Sequence, residues 1–266
     1  ERAKALTKGE SISLPVTIGE CPTMKVMGVS FYKKSLFGSR KLSSIFAEKL
    51  HKNVSRKMTT PKKPVKKFDD VTGFDDIRLV VHSDPHKVSS IGVKKPHVIE
   101  IALGGSPDEK LAYAKEILGK EISISDVFEI GQQTDVHGVS KGKGFQGTVK
   151  RYGVPIKQHK GEKTKRGIGN LGAWTPKRVD YRVPQPGKMG YHLRTEYNKQ
   201  IVAMGNNGED VTPAGGLQQY GIVKNDYLLL HGSIVGARKR GLLLTFAIRP
   251  HRKKVKNAFT VQSIIK

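Results

Sequence analysis

Apolar positions alternate along some stretches of the chain and recur at helical spacing along others. Alternation predicts strands at 11–18 (SISLPVTI) and 24–31 (MKVMGVSF). Pro15 has no N–H to donate, which demotes the first strand to a sheet edge or a bulge. Leu42, Ile45, Phe46 and Leu50 fall on one stripe of a helix drawn through 41–52. A basic, Pro-bearing loop or linker follows at 55–67, then strands at 76–82 (DIRLVVH) and 97–103 (HVIEIAL). Residues 106–118 carry the strongest helix signal. Ser106 is placed as N-cap, Pro107 opens the first turn, Glu109 completes a capping box, and Gly119 ends the helix. Leu111, Ile117 and Leu118 give this helix an apolar stripe. Helix, strand, strand, helix across 41–119 predicts a small α+β unit.

The C-terminal half reads differently. Short strands are predicted at 134–140, 200–204, 219–223, 227–235 and 242–249. They are separated by turn signals at Asn206-Asn207-Gly208, Gly215-Gly216 and Asn225-Asp226. Many short strands without intervening helices favour a small barrel. No internal repeat of fixed period is found. The fold class expected is therefore mostly β with an α+β insertion.

Composition sharpens this picture. The 266 residues hold 48 Lys and Arg against 23 Asp and Glu, a formal net charge of +25. With 36% hydrophobic residues and 29 glycines a packed core is within reach, so a wholly disordered polycation is excluded. Self-repulsion on this scale opposes compactness, and its natural remedy is a polyphosphate partner. The longest apolar run, Leu242 to Ile248, is far shorter than the roughly 20 residues of a membrane span. One cysteine, Cys21, rules out a disulfide framework, and the nine scattered histidines show no helical metal-ligand pair. The chain starts at Glu1 without Met and without a secretory segment, so a missing N-terminus and cytoplasmic residence are expected.

The charge is not evenly spread. Residues 138–200 hold 15 Lys and Arg, three acids (Glu162, Asp180, Glu196) and 11 Gly, a net of +12. Large aliphatics are sparse there and follow neither strand nor helix period. So long a stretch is either disordered or an arm that folds against a partner. Gly142, Gly144 and Gly147 match G-x-G-x-x-G, but no amphipathic helix is predicted after them and position 167 is Gly rather than an acid. The better reading is close approach of backbone amides to phosphates at Gly142, Gly144, Gly147, Gly167 and Gly172, beside Lys141 and Lys143.

Further along, Lys150, Arg151, Lys157, Lys160, Lys163, Lys165, Arg166, Lys177, Arg178 and Arg182 are interleaved with Tyr152, His159 and Trp174. Cations of this kind bind phosphates, and planar side chains stack on unpaired bases. Trp174, the single tryptophan, lies in a turn context at the tip of a basic finger. Lys188, Tyr191, His192, Arg194 and Lys199 return the chain. A second patch is Arg238, Lys239 and Arg240, followed by Arg249, His251, Arg252, Lys253 and Lys254. Neither Ser140 nor Ser233 sits in a nucleophile elbow, and Asp69-Asp70 and Asp75-Asp76 have no metal spacing. The residues alone thus predict a nucleic-acid binder, with RNA and DNA both open. No catalytic residue, metal, cofactor, membrane contact or homo-oligomer is expected.

The runs GVSKGKGFQGTVKR, RGIGNLGAWTPKRV, GKMGYHLRTEYNKQI and GIVKNDYLLLHGSIVGARKR resemble large-subunit ribosomal protein three, the universal L-three family. The likeness covers about residues 98–249 and, more loosely, begins near residue 10. KKPHVIEIALGG and the inserted α+β region resemble the archaeal and eukaryotic branch, and the chain's shortness points to the archaeal side. The resemblance implies an architectural rRNA-binding protein. It would have a translation-protein-type β-barrel at 1–30 and 126–266 and an α/β insertion at 31–125. A finger at 138–200 would thread through large-subunit rRNA toward the peptidyl-transferase centre, with Trp174 at its tip. Contacts with neighbouring ribosomal proteins and a part in early subunit assembly are implied as well. An RNA-modifying enzyme and a DNA- or chromatin-binding barrel module are the alternatives. Two departures stand out. Members of the family usually begin with a basic N-terminal extension and a first barrel strand, and Glu1 starts too late to include them; Lys165 stands where eukaryotic members carry a modifiable histidine before Arg-Gly.

Overall fold

The computed structural model describes residues 6, 9–61, 67–161, 163–252 and 259–266. Among these residues twelve strands and two α-helices follow one another, and the named strand pairings are antiparallel. The chain divides into two compact units, one of residues 1–133, 199–233 and 249–266, the other of 134–198 and 234–248.

In the first unit β2 (Met24–Ser35) is the centre of a sheet ordered β3 (Gly38–Phe46), β2, β4 (Asp76–His82), β5 (Val98–Ala102), with the short β6 (Glu121–Ile122) beside the start of β2. From Val26 to Tyr32 every residue of β2 is buried, because both sheet faces are covered. One face holds Val26, Val29, Phe31, Ile45, Ile77, Leu79 and Val81, closed by Ala114 of α1 (Pro107–Ile117). Phe31 meets the rings of Phe68 and Phe74 edge-on, at 6.2 and 5.1 Å between centroids. The other face packs Met27, Val54 and Val80 against Phe46, Leu50, Met58 and Val98.

Helix α1 forms as its sequence predicts. Ser106 Oγ accepts from the Glu109 N–H at 3.4 Å, and Glu109 Oε2 accepts from the Ser106 N–H at 2.9 Å. Leu111, Ile117 and Leu118 pack on the core. The helix predicted at 41–52 is corrected. Residues 38–46 are β3, paired to β2 from Ser35↔Gly38 to Gly28↔Phe46, and a 3-10 helix occupies Lys52–Arg56. Burial of Ile45 and Phe46 against the neighbouring strand outweighs a helical stripe that no partner would cover. Part of the loop predicted at 55–67, residues 62–66, lies outside the described residues.

Also in this unit, β1 (Val16–Glu20) pairs with β11 (Tyr227–His231), and β11 pairs with the second half of β10 (Leu193–Gly205). Val202, Val211, Val223, Tyr227 and Leu229 form their core. The strand predicted at 11–18 starts instead at Val16; Pro15 contributes only its carbonyl, which accepts from the Gly232 N–H at 2.8 Å. The predicted strand 219–223 is reduced to a single bridge, Leu217↔Gly221.

Carboxylates anchor this unit's surface. Glu121 accepts from Thr23 Oγ1 at 2.5 Å and pairs with Lys25 at 2.9 Å and Lys87 at 3.0 Å. The Thr23 hydroxyl, then the two ammonium groups, hold its carboxyl at about 2, below the ordinary 4.5. The Lys110 ammonium, 2.6 Å away, likewise holds Asp76 below the usual range. A carboxylate depressed on folding stabilises the fold above its unfolded pKa and loses that contribution as pH falls through its folded one. The melting temperature is therefore expected to fall between about pH 4.5 and pH 2, and Glu121→Gln to flatten that decline in a pH series of thermal melts.

In the second unit β7 (Gln133–Val139) lies between β12 (Leu243–Phe246) and the first half of β10. His137 links the three strands, bonding Thr195 at 2.9 Å and Thr245 at 3.1 Å. Asp135 is wholly buried and accepts the N–H groups of Asn198 at 2.9 Å and Ile248 at 3.1 Å. The chain is thus mostly β, with antiparallel sheets and few helices.

Candidate nucleic-acid interface

The glycine-rich, basic stretch, which makes up most of the second unit, departs from the end of β7 and returns as β10. Its base is a two-stranded ribbon. The Ser140 N–H donates to the His192 carbonyl, Lys143 to Met189, and Met189 back to Gly144, each at 2.9 Å. Beyond these, β8 (Phe145–Gln146) pairs with β9 (Gly187–Lys188). Gly190 is the tight point of this stem. Its φ is +75°, and a Cβ there would lie 2.1 Å from the Lys141 carbonyl oxygen. Pattern reading missed Gly190, because an isolated glycine outside a G-x-G run carries no signal of its own.

Of the predicted close-approach glycines, Gly144 (φ +69°) and Gly172 (φ +125°) hold backbone conformations that side chains disfavour, with open space around them. Gly142 packs against Tyr191, and Gly167 against Thr164. Gly147 is the N-cap of a short helix that the sequence did not predict, α2 (Thr148–Tyr152), which ends at Gly153 in the left-handed region. Lys150 and Arg151 lie in its last turn.

Past the ribbon the segment is tied by few contacts. Thr148 Oγ1 donates to the Arg166 carbonyl at 3.0 Å, and the Lys157 N–H to the Lys165 carbonyl at 3.1 Å. Arg151 Nη1 donates to the Gln185 carbonyl at 2.7 Å, while its guanidinium lies 5.0 Å from the centre of the Tyr152 ring. Arg151 therefore braces the segment as well as charging it. From 139 to 199, Thr148 is the one buried residue among those described.

What this segment exposes is as informative. Thirteen of the fifteen cations in 138–200 are exposed: Lys141, Lys143, Lys150, Lys157, Lys160, Lys163, Lys165, Arg166, Lys177, Arg178, Arg182, Lys188 and Arg194. His159 and His192 are exposed with them. Trp174 is 84% exposed, at a turn where its carbonyl accepts the Lys177 N–H at 2.9 Å. Tyr152, Tyr181 and Tyr191 also face outward, at 54%, 88% and 67%. Arg182 stacks over Tyr181, and Arg240, from the second basic patch, over Tyr191, each at 5.5 Å. Lys163, Lys177, Tyr191 and Lys239 all have positive φ without being glycine. Strained backbone of this kind concentrates at functional sites.

The remaining predicted residues divide. Arg238 and Lys239 are exposed near Arg240. Arg252 is exposed in the other unit, and Lys253 and Lys254 lie outside the described residues. Lys199 Nζ donates to the Ser233 carbonyl at 2.5 Å, so it is engaged by the body.

A folded body thus carries a basic, aromatic-bearing ribbon that buries almost nothing of itself among the described residues. The chain belongs to the ribosomal protein L3 family, whose profile matches residues 1–262. It is 42% identical over 265 residues to large ribosomal subunit protein uL3 of Methanocaldococcus jannaschii, covering 96% of this chain and 79% of that protein. Its identity to the protein of the same name from Methanococcus vannielii is 44% over 259 residues, covering 94% and 77%. The corresponding figures for Archaeoglobus fulgidus are 41% over 256 residues, again covering 94% and 77%. These relatives accord with the archaeal side of the family that the motifs indicated.

Proposed function

We propose that this chain is a structural, non-enzymatic constituent of the large ribosomal subunit in the cytoplasmic ribosome, and that residues 138–200 are a finger that binds and stabilises large-subunit rRNA. The observation that carries the reading is the single buried residue, Thr148, in the described part of 139–199. A segment with no core of its own cannot offset the entropy of holding one shape, so its order is supplied by what it binds. Thirteen exposed cations and six outward-facing aromatic residues, Phe145 and Tyr197 included, make rRNA the partner it fits.

The finger reaches toward the peptidyl-transferase centre, and Trp174 at its tip stacks on an unpaired base. Lys141, Lys143 and the cations beyond them contact phosphates, and Gly144 and Gly172 let RNA backbone approach closely. Arg238, Lys239 and Arg240 extend the surface at the base of the finger, where Arg240 already meets Tyr191. The body is a translation-protein-type β-barrel of residues 1–30 and 126–266, interrupted by the α/β insertion at 31–125. Neighbouring ribosomal proteins contact this body, and binding contributes to subunit assembly.

Chemical probing of rRNA in particles carrying Trp174→Ala tests the tip. Nucleotides around one unpaired base are expected to become more reactive, with the rest of the pattern retained. An unchanged pattern would remove the stacking role.

A further inference from the structure

The β2–β3 hairpin extends past its own sheet. Strand β4 accompanies β2 only as far as Tyr32↔Asp76, whereas β3 continues through Lys33↔Arg40 and Lys34↔Ser39 to Ser35↔Gly38. Residues 33–40 are thus a two-stranded ribbon without a third strand, and all eight are exposed. Its tip presents Leu36 and Phe37 at 100% and 101% exposure. Two-stranded ribbons are marginal alone, and a fully exposed Leu-Phe pair contributes nothing to holding this one together.

Its charges add to the cost. Lys33 and Arg40 stand directly opposite each other on one face, where like charges destabilise a strand pair. Neither has an acidic partner among the described residues. On the opposite face Lys41, at the root of the ribbon, pairs with Glu100 at 2.9 Å, while Lys34 has no ion pair among the described residues. From Lys33 to Ala47 the sequence holds four cations and no acid.

We propose that this ribbon is a second rRNA-binding element, separate in sequence from the finger, with Phe37 stacked on an unpaired base and Lys33 and Arg40 on the flanking phosphates. The proposal rests on the reading of the chain as an rRNA binder. Opposed, unneutralised cations beside an exposed aromatic ring match a polyanion that also offers π-faces. An apolar protein groove would accept Leu36 and Phe37 but leave the opposed cations uncompensated.

The test uses the full chain and transcribed large-subunit rRNA, with binding measured across a salt series and the RNA footprinted by hydroxyl radicals. Phe37→Ala is expected to weaken binding about tenfold and to open a patch of protection that Trp174→Ala leaves intact. Phe37→Tyr is expected to restore both. Joint Lys33→Ala and Arg40→Ala substitution is expected to reduce the salt slope by about 1.5. All four positions are exposed, so matching thermal melts verify that the fold is unchanged. If wild type and the ribbon variants bind alike with one footprint, the ribbon proposal falls and the finger reading stands. If wild type itself fails to bind, both fall. A photoreactive phenylalanine analogue at position 37 that cross-links to a protein in intact subunits, or to nothing, also overturns the proposal.

Discussion

Binding of the full chain to large-subunit rRNA is expected to weaken by about a thousandfold between 50 and 200 mM monovalent salt. Each phosphate neutralised by a lysine or arginine releases condensed counterions, and log affinity falls against log salt with a slope of about 0.7 to 0.9 per contact. Thirteen exposed cations line the finger, and about six phosphate contacts among them suffice for the thousandfold loss. Replacing Lys157, Lys160, Lys163 and Lys165 by glutamine is expected to make the slope shallower by about 3. Filter binding across a salt series measures both. A wild-type slope shallower than about 2 would mean that few of these cations meet phosphate, and the finger would lose its assigned role.

The second large effect concerns the root of the finger. Asp135 lies at the centre of the strand from which the finger departs and holds two backbone N–H groups, those of Asn198 and Ile248. Asn198 has φ +58°, so the returning strand is fixed there in a conformation it would not choose unaided. Asp135→Ala removes the acceptor of two part-buried N–H groups, which water can reach in part, so a loss of roughly 1 to 3 kcal/mol is expected in urea denaturation. Asp135→Asn keeps one acceptor oxygen and should lose about half as much. A loss below about 1 kcal/mol for the alanine variant would show that water replaces the carboxylate and that the root is not built around it.

The exposed cations and the buried carboxylate mark how far the sequence could be read. The strand at 76–82 and the helix beginning at Pro107 follow from local signals alone, alternation in one and a capping box in the other. The stretch 41–46 does not. Its apolar spacing suits a helix, and only pairing with β2, which no local pattern encodes, makes it a strand. Asp135 was invisible for a related reason: hydrophobic patterning treats a polar residue as outward-facing, and the backbone groups it satisfies lie 63 and 113 residues away. In the finger, charge and glycine content located the segment, whereas its ribbon base, α2 and the brace from Arg151 to Gln185 arise from backbone hydrogen bonds that composition does not report. The positive φ values of Lys163, Lys177 and Lys239 had no sequence signal either, since lysine carries no preference for them.

The near absence of buried residues between 139 and 199 has a consequence for variation in this gene. Elsewhere in the chain a damaging substitution announces itself as a less stable protein, and cellular quality control can remove it. In the finger the fold does not act as a censor. Outside Thr148, Gly190 and the few bracing contacts, a changed residue is expected to leave the fold and its melting unaltered and so to escape triage. Stability screens would score such variants as silent. Only measurements made on assembled particles would register them.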